Sequence, residues 1–333
     1  MKKTVIITGG AGYIGSVLAQ KLLTENYRVK VIDSLLFGGH SLLPIFEHPN
    51  FEFIKKDIRN VNKFQSFFDD ATYVVHLAAI VGEHLCKKIP KEASEINYNS
   101  TKKIIKICKS KQIRLVFAST CSNYGAIGGN VYATENSPLD PLSLYSSTKI
   151  KSEKLILNEN KNGLNGTVLR FATVYGLSPR MRFDLLAHEL FLDAFTHKKI
   201  TLYGPRHWRP FIHVRDATNA ISILLKSSKS KSKGVFNVGN TKENYMKLDI
   251  TNIIKKFLPS TKVIIEKDVI DSRNYKVNFD KFSKKFNFKT EKDLEKGIKE
   301  IFHVIHDNVI DYKNPQYSNA MLSTNINQLI KKN

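Results

Sequence analysis

Cysteine is scarce in this chain of 333 residues: Cys86, Cys108 and Cys121 are the only three. An odd number with no metal-type spacing argues against a disulfide framework and against a metal site, and for reduced thiols in a cytoplasmic setting. No run of 18 or more apolar residues exists, so no membrane-spanning helix is expected. The opening MKKTVIITGG has two lysines but then a short apolar strand and no small-residue cleavage site, which does not read as a secretory signal. Acidic residues are few as well. Only 30 Asp and Glu face 52 Lys and Arg, giving a formal net charge of +22. That excess has three readings: a lysine-biased surface, attraction of an anionic small substrate, or nucleic-acid binding. The lysines are not interleaved with aromatics and form no recognised nucleic-acid module, so the first reading is preferred. The run from Lys226 to Lys233 reads as a solvated loop.

What is present is ample apolar content, 42% of residues, enough for a sizeable core. The most informative stretch is Val5-Ile6-Ile7-Thr8-Gly9-Gly10-Ala11-Gly12-Tyr13-Ile14-Gly15. An apolar strand runs into G-x-x-G-x-x-G, and a helical pattern follows. Gly9, Gly12 and Gly15 let the turn tighten, let backbone N–H groups approach a pyrophosphate and let the helix pack on the strand. A second strand, Val29–Ile32, ends at Asp33, a carboxylate placed to grip the adenosine ribose. Asp33 would repel a 2′-phosphate and Ser34-Leu35-Leu36 offers no arginine, so the cofactor expected is NAD rather than NADP.

Strand-like runs at Val5–Thr8, Val29–Asp33, Phe51–Ile54, Tyr73–Leu77, Leu115–Ser119 and Thr167–Phe171 alternate with helical patterns near 14–24, 60–69, 92–111 and 145–160. This order predicts an α/β fold, a doubly wound parallel sheet of the Rossmann type with a smaller mixed α/β substrate lobe. Residues 1–176, joined by about 206–240, would form the cofactor domain, with a helix at Val214–Lys226 and a strand at Val235–Val238. Residues 177–205 and 241–312 would form the substrate lobe, and 313–333 a loosely attached tail.

Tyr145 and Lys149 lie four residues apart in a helical segment and so share a face. An ammonium beside a phenol favours phenolate, and a positive nicotinamide adds to that effect. Such a tyrosine can take a proton from a sugar hydroxyl as hydride leaves its carbon. Thr120, at the end of a strand, can hydrogen-bond and align the same hydroxyl.

With these residues in place the chain resembles an extended short-chain dehydrogenase/reductase of the nucleotide-sugar epimerase/dehydratase family, over roughly residues 4–300. The resemblance rests on TGGAGYIG, Asp33, KKDIR, HLAA at 76–79, INYNST, FASTCSNYG at 117–125, YSSTK, LRFATVYG at 169–176, RPFIHVRD at 209–216, FNVGN at 236–240 and DSRNY at 271–275. It implies NAD contacts at Gly9, Gly12, Tyr13, Ile14, Gly15, Asp33, Asp57, Ile58, Leu77, Ala78, Ala79, Asn97, Tyr145 and Lys149. It also implies that Arg209 and Arg273 hold a sugar nucleotide's diphosphate, a task that suits the planar guanidinium fork. The family's usual homodimer pairs helices near 94–111 and 145–160 and is expected here.

Departures from the family pattern bear on the reaction. Dehydratases of the family follow the threonine with Asp-Glu, whereas this chain has Cys121 and Ser122. The 4-epimerases usually carry asparagine at Thr173 and lysine near Val81. The segment 177–186, with Val81-Gly82-Glu83 and Cys86-Lys87, resembles a subgroup that includes GDP-heptose 4-dehydrogenases. Thr120, Thr173, Arg180 and Arg182 are candidate substrate contacts, Cys121 reads as packing and His213 as a structural residue. Oxidation at C4 of a nucleotide-activated sugar is the common element. It leads to 4-epimerisation, or alternatively to release of a 4-keto sugar. A non-enzymatic nucleotide- or RNA-binding relative is the remote alternative, against which the retained Thr120, Tyr145 and Lys149 speak.

Overall fold

The structure is a computed structural model that describes residues 2–127, 131–267 and 273–319. In chain order the first half runs β1 (Thr4–Thr8), α1 (Tyr13–Thr24), β2 (Arg28–Asp33), β3 (Phe51–Lys55), β4 (Ala71–His76), α2 (Ser100–Ser110), β5 (Arg114–Thr120), α3 (Leu144–Glu159) and β6 (Gly166–Phe171). The second half runs β7 (Thr173–Tyr175), α4 (Leu186–His197), β8 (Trp208–His213), α5 (Val214–Lys226), β9 (Gly234–Val238), β10 (Asn244–Met246), α6 (Lys247–Phe257) and α7 (Leu294–His306). Seven strands form one sheet in the order β9-β6-β5-β4-β1-β2-β3. Every pairing in it is parallel.

Alternation along the strands explains the layers. Val5, Ile7, Val29, Val31, Val75 and Val116 face one side, where Leu18 and Leu22 of α1 and Ile221 and Leu224 of α5 cover them. Ile6, Ile32, Val74, Leu115 and Phe117 face the other, under Ile104 and Cys108 of α2 and Ile156 of α3. Both faces are buried, as an all-parallel sheet requires. Strand order reverses at β1, with β2 and β3 on one side and β4 on the other. The loops after β1 and β4 therefore diverge and open a crevice at the carboxyl ends of the strands.

A smaller lobe has its own core, including Tyr175, Phe183, Phe191, Ile200, Phe211, Ile250 and Ile298. It holds a three-stranded sheet, β10-β8-β7, and a parallel pair of Lys199–Tyr203 with Lys262–Glu266.

Four local differences from the sequence reading have physical causes. The segment expected as a helix at 60–69 is a 3₁₀ stretch, Ile58–Phe68, broken at Asn60 and Phe64. The helix expected over 92–111 is interrupted by a π turn at Glu95–Asn99. There the Asn97 carbonyl accepts from Thr101 Oγ1 at 2.8 Å and Ser152 Oγ at 3.2 Å, so two side chains hold the widened turn. Within the lysine run, Lys229–Ser232 makes one helical turn, capped by the Ser228 hydroxyl. The tail is not loose where it is described. Residues 313–319 dock across the mouth of the crevice, where the Phe183 N–H donates to the Tyr317 carbonyl at 2.7 Å and Tyr317 packs edge-on to His40 and Phe183.

Candidate active site

The crevice is built first from backbone. Gly9 has φ +73°, and a Cβ there would stand 2.8 Å from the Ala78 nitrogen. A Cβ at Gly15 would stand 2.3 Å from the Gly9 carbonyl oxygen, so only glycine lets α1 lie this close to the loop. Gly12 caps α1 with no side-chain hydrogen bond, which leaves first-turn N–H groups facing the crevice. Asp33 ends β2 and accepts the Ala11 N–H at 3.0 Å and the Leu35 N–H at 2.8 Å. Burial raises its carboxyl above the ordinary range, and those backbone donors oppose the rise.

The Leu77–Ala79 loop is held from below. The Ala78 N–H donates to Thr8 Oγ1 at 3.3 Å, Thr8 meets His76 Nδ1 at 2.6 Å, and His76 Nε2 meets Thr101 Oγ1 at 3.0 Å. Burial pushes His76 down to about 3, so the ring is neutral and relays hydrogen bonds only. Asp57 accepts the Arg59 N–H at 2.8 Å and a bidentate pair from its guanidinium at 2.8 and 2.6 Å. Asp57 and Ser34 line a shallow cavity of about 330 Å³ at the outer end of the crevice. The Tyr13 hydroxyl donates to the Gly176 carbonyl at 2.6 Å, which commits that side chain to the fold and not to a ligand. An uncapped helix start, a glycine surface that a Cβ would fill and a strand-end carboxylate together fit a dinucleotide.

The reacting groups stand on β5 and α3. Ser143 opens α3 with a reciprocal capping box to Ser146, which fixes the register of the helix. Lys149 Nζ donates to the Ala118 carbonyl at 2.8 Å and lies 5.8 Å from the Tyr145 ring centroid. Burial lowers Lys149 to about 8. Tyr145 is pushed well above the usual phenol range, by burial first and by Cys86 second, while Arg182 pulls it down. Burial therefore opposes the phenolate that the Lys149 ammonium and a positive nicotinamide are expected to favour. A further positive charge at the site is needed to release its proton.

Thr120 Oγ1 accepts the Ser122 N–H at 3.1 Å and meets the Ser122 hydroxyl at 2.9 Å, so it caps the following turn as well as facing the site. Asn97 grips both polar groups of Ile80: its Oδ1 accepts the N–H at 2.7 Å and its Nδ2 donates to the carbonyl at 2.9 Å. The Cys86 thiol donates to the same carbonyl at 3.4 Å. Beneath α3, Glu153 is buried and accepts from Arg170 Nε at 3.0 Å and Nη2 at 2.6 Å, from Asn123 at 2.8 Å and from the Ser119 hydroxyl. Sequence reading missed this platform. Its one signal was that Glu153 follows Lys149 by four residues on the same helix.

On the substrate side, Arg209 Nη1 donates to the Trp208 carbonyl at 2.8 Å and also to the Arg273 carbonyl. The two arginines expected at a diphosphate are thus neighbours. Thr173 is half-buried on β7. Arg182 is paired bidentately with Asp184, at 3.1 and 2.6 Å, and acts electrostatically on Tyr145. Arg180 is buried, its guanidinium 4.4 Å from the Phe37 ring centroid; the Arg182 charge acts on it, and Asp184 and Asp33 oppose that effect. The Cys121 thiol turns into the core and donates to the Arg170 carbonyl at 3.3 Å, as packing requires. His213 Nδ1 accepts the Arg215 N–H at 3.2 Å and its Nε2 meets Glu300 at 3.0 Å, a structural arrangement. Asp271 and Ser272 of the DSRNY stretch lie outside the described residues.

Residues 5–239 match the NAD dependent epimerase/dehydratase family. The chain belongs to that family. It is similar to the UDP-glucuronic acid 4-epimerase of Bacillus cereus, solved with UDP-glucuronic acid and NAD, at 26% identity over 92% of this chain and 99% of that one, with a TM-score of 0.82. It is similar to the dTDP-glucose 4,6-dehydratase of Bacillus anthracis, solved with NAD, at 27% identity over 96% and 99%, with a TM-score of 0.81. UDP-arabinose 4-epimerase 1 of Arabidopsis thaliana is 28% identical over 271 residues, 73% of this chain and 64% of that protein. The chain is an enzyme of a NAD-dependent family, and NAD is the cofactor that the crevice fits. No helix among the described residues is long and apolar enough to cross a membrane.

Proposed function

We propose that the chain is a NAD-dependent nucleotide-sugar 4-epimerase. One observation carries the reading: Tyr145 and Lys149 share α3, Lys149 bonds the Ala118 carbonyl of β5 two residues before Thr120, and the positions after Thr120 hold a core-packed Cys121 and Ser122. That site can oxidise C4 but has no carboxylate pair to remove water. Bound NAD supplies a hydride acceptor and donor and a positive charge beside the phenol. Tyr145, ionised beside that charge, would take the C4 hydroxyl proton, Thr120 aligns that hydroxyl, and Lys149 raises the local positive potential. Arg209 and Arg273 anchor the diphosphate while the 4-keto sugar turns over. Tyr145 would then return the proton to the C4 oxygen once the ketone is reduced on its other face. Residues 1–176 with about 206–240 serve as the cofactor domain, and 177–205 with 241–312 as the substrate lobe. A cytoplasmic homodimer through α2 and α3 completes the reading.

A second outcome is net dehydrogenation at C4. The 177–186 segment favours it, because with Val81-Gly82-Glu83 and Cys86-Lys87 it resembles a subgroup that includes GDP-heptose 4-dehydrogenases. A panel of UDP-, GDP-, CDP- and dTDP-sugars separates the two. C4 inversion by NMR with unchanged mass supports the epimerase. Loss of two hydrogens with NADH accumulating supports the dehydrogenase. A product lighter by one water refutes both.

A further inference from the structure

Arg180 is 2% exposed, and no carboxylate among the described residues pairs with it directly, although Asp184 and Asp33 act on it from farther off. Its Nη2 donates to the Asn319 side-chain oxygen at 2.6 Å, a neutral partner. Its Nε is buried without any hydrogen-bond partner. The nearby Asp184 is committed to Arg182. Burial lowers Arg180 to about 9, and the Arg182 charge pushes the same way. A buried cation whose direct side-chain hydrogen-bond partner is neutral is costly, and its natural complement is an anion.

The surroundings say which anion. The Arg180 N–H donates to Ser178 Oγ at 3.3 Å. Ser178 Oγ in turn donates to the Tyr13 carbonyl at 2.7 Å and meets Ser16 Oγ at 3.2 Å. The turn carrying Arg180 thus lies on the first turn of α1, the uncapped end that faces the crevice. The flat face of the guanidinium lies on Phe37, in the loop that follows the ribose-gripping Asp33. Between a helix N-terminus and a ribose carboxylate is where a dinucleotide places its pyrophosphate. The sugar-nucleotide arginines, Arg209 and Arg273, are neighbours of Tyr275 instead.

We propose that Arg180 is a cofactor-binding residue whose guanidinium pairs with the pyrophosphate of NAD, and that the docked C-terminal segment holds it there through Asn319. The segment is built for that task. Tyr317 joins Phe183 to His40, Gln316 lies against Gly38, and the Asn319 N–H supports Asp184. It thereby ties the wall carrying Arg180 to the wall carrying Phe37. The inference rests on NAD as cofactor and is independent of which sugar is the substrate.

The test is calorimetric titration of nucleotide-stripped full-length protein with NAD, ADP-ribose and UDP, for wild type, Arg180→Met, Arg180→Lys and Asn319→Ala. Loss of a charge-assisted hydrogen bond predicts at least about a tenfold loss of affinity for NAD and ADP-ribose in Arg180→Met, with UDP unchanged. Arg180→Lys should recover part of it, and Asn319→Ala should show a smaller loss of the same kind. Removing a buried cation with no directly paired carboxylate should also leave the melting temperature of the stripped protein equal or higher, and shrink the rise that NAD produces. Unchanged NAD affinity in Arg180→Met overturns the proposal. So does loss of UDP affinity with NAD binding intact, which would move Arg180 to the substrate. A lower melting temperature with both ligands weakened equally would make the residue structural. Should Arg180→Met fail to fold, unchanged NAD affinity in Asn319→Ala overturns the role of the segment. Failure of the wild type to bind NAD would overturn the cofactor assignment itself.

Discussion

Lys149 shows how catalysis and stability conflict at one residue. Its ammonium is buried against the Ala118 carbonyl and titrates near 8, against an ordinary 10.5. The unfolded chain therefore binds more protons than the folded one between those values, and stability rises with pH across that window. Below pH 8 the full cost is present, about 3 kcal/mol from the size of the shift, less the hydrogen bond to Ala118. Lys149→Met should therefore unfold at higher urea than wild type at pH 7, with the gap closing between pH 8 and 10.5. A variant less stable at pH 7 would show that the hydrogen bond outweighs desolvation. Tyr145→Phe carries the complementary expectation. It removes one hydroxyl and its proton transfer, so kcat should fall about 10²–10⁴-fold while the melting temperature holds. Near wild-type turnover would mean that another group moves the proton.

At the scale of the element, α3 is positioned by charges that lie beneath it. Glu153 and Arg170 are both buried and mutually hydrogen-bonded, so removing one strands the other. Arg170→Met or Glu153→Leu alone should cost about 3–5 kcal/mol of stability, and the pair changed together should cost clearly less than the sum. Additive losses in urea unfolding would show that the Glu153 carboxylate is held chiefly through Oε1, by Ser119 and Asn123. This network also marks where sequence reading stops. Tyr145 and Lys149 were legible because their relation is local, one helical turn on one face. The strands were legible because a sheet buried on both faces needs continuous apolar runs. Glu153 and Arg170 meet only because α3 packs on β6, and no local spacing encodes that. Arg180 reads in the sequence as a candidate substrate contact, and the cofactor role proposed above is not encoded locally. Its place depends on Ser178 bonding Tyr13, a contact 165 residues apart in the chain. The π turn at Glu95–Asn99 was hidden because its cause, a carbonyl shared by Thr101 and Ser152, involves a second helix.

Across the whole molecule, acid sensitivity follows from two histidines that serve the architecture. His76 links β1, β4 and α2, and burial holds it down to about 3. His188 accepts the Gly176 N–H on Nε2 at 3.0 Å, which leaves Nδ1–H to donate to the Arg182 carbonyl at 2.8 Å, and it titrates near 4. Both are neutral in the folded chain and protonate near 6.5 once unfolded. The unfolded state therefore binds more protons below pH 6.5, and stability falls as pH falls toward the folded values. Between pH 7 and pH 5 the two sites together should cost about 4 kcal/mol. The surplus of positive charge adds repulsion of the same sign. Buried carboxylates with raised values, Asp33, Asp216 and Glu243, oppose the trend, because they take up protons on the folded side. Their opposition sets in as pH falls to their raised folded values and is complete below their ordinary values near 4. The expected outcome is a urea midpoint clearly lower at pH 5 than at pH 7 in protein free of nucleotide. His76→Gln should be less stable at pH 7 but lose less on acidification, since one of the two proton uptakes is gone. A midpoint that is flat or higher at pH 5 would mean that the raised carboxylates, and not the histidines, govern the acid limb.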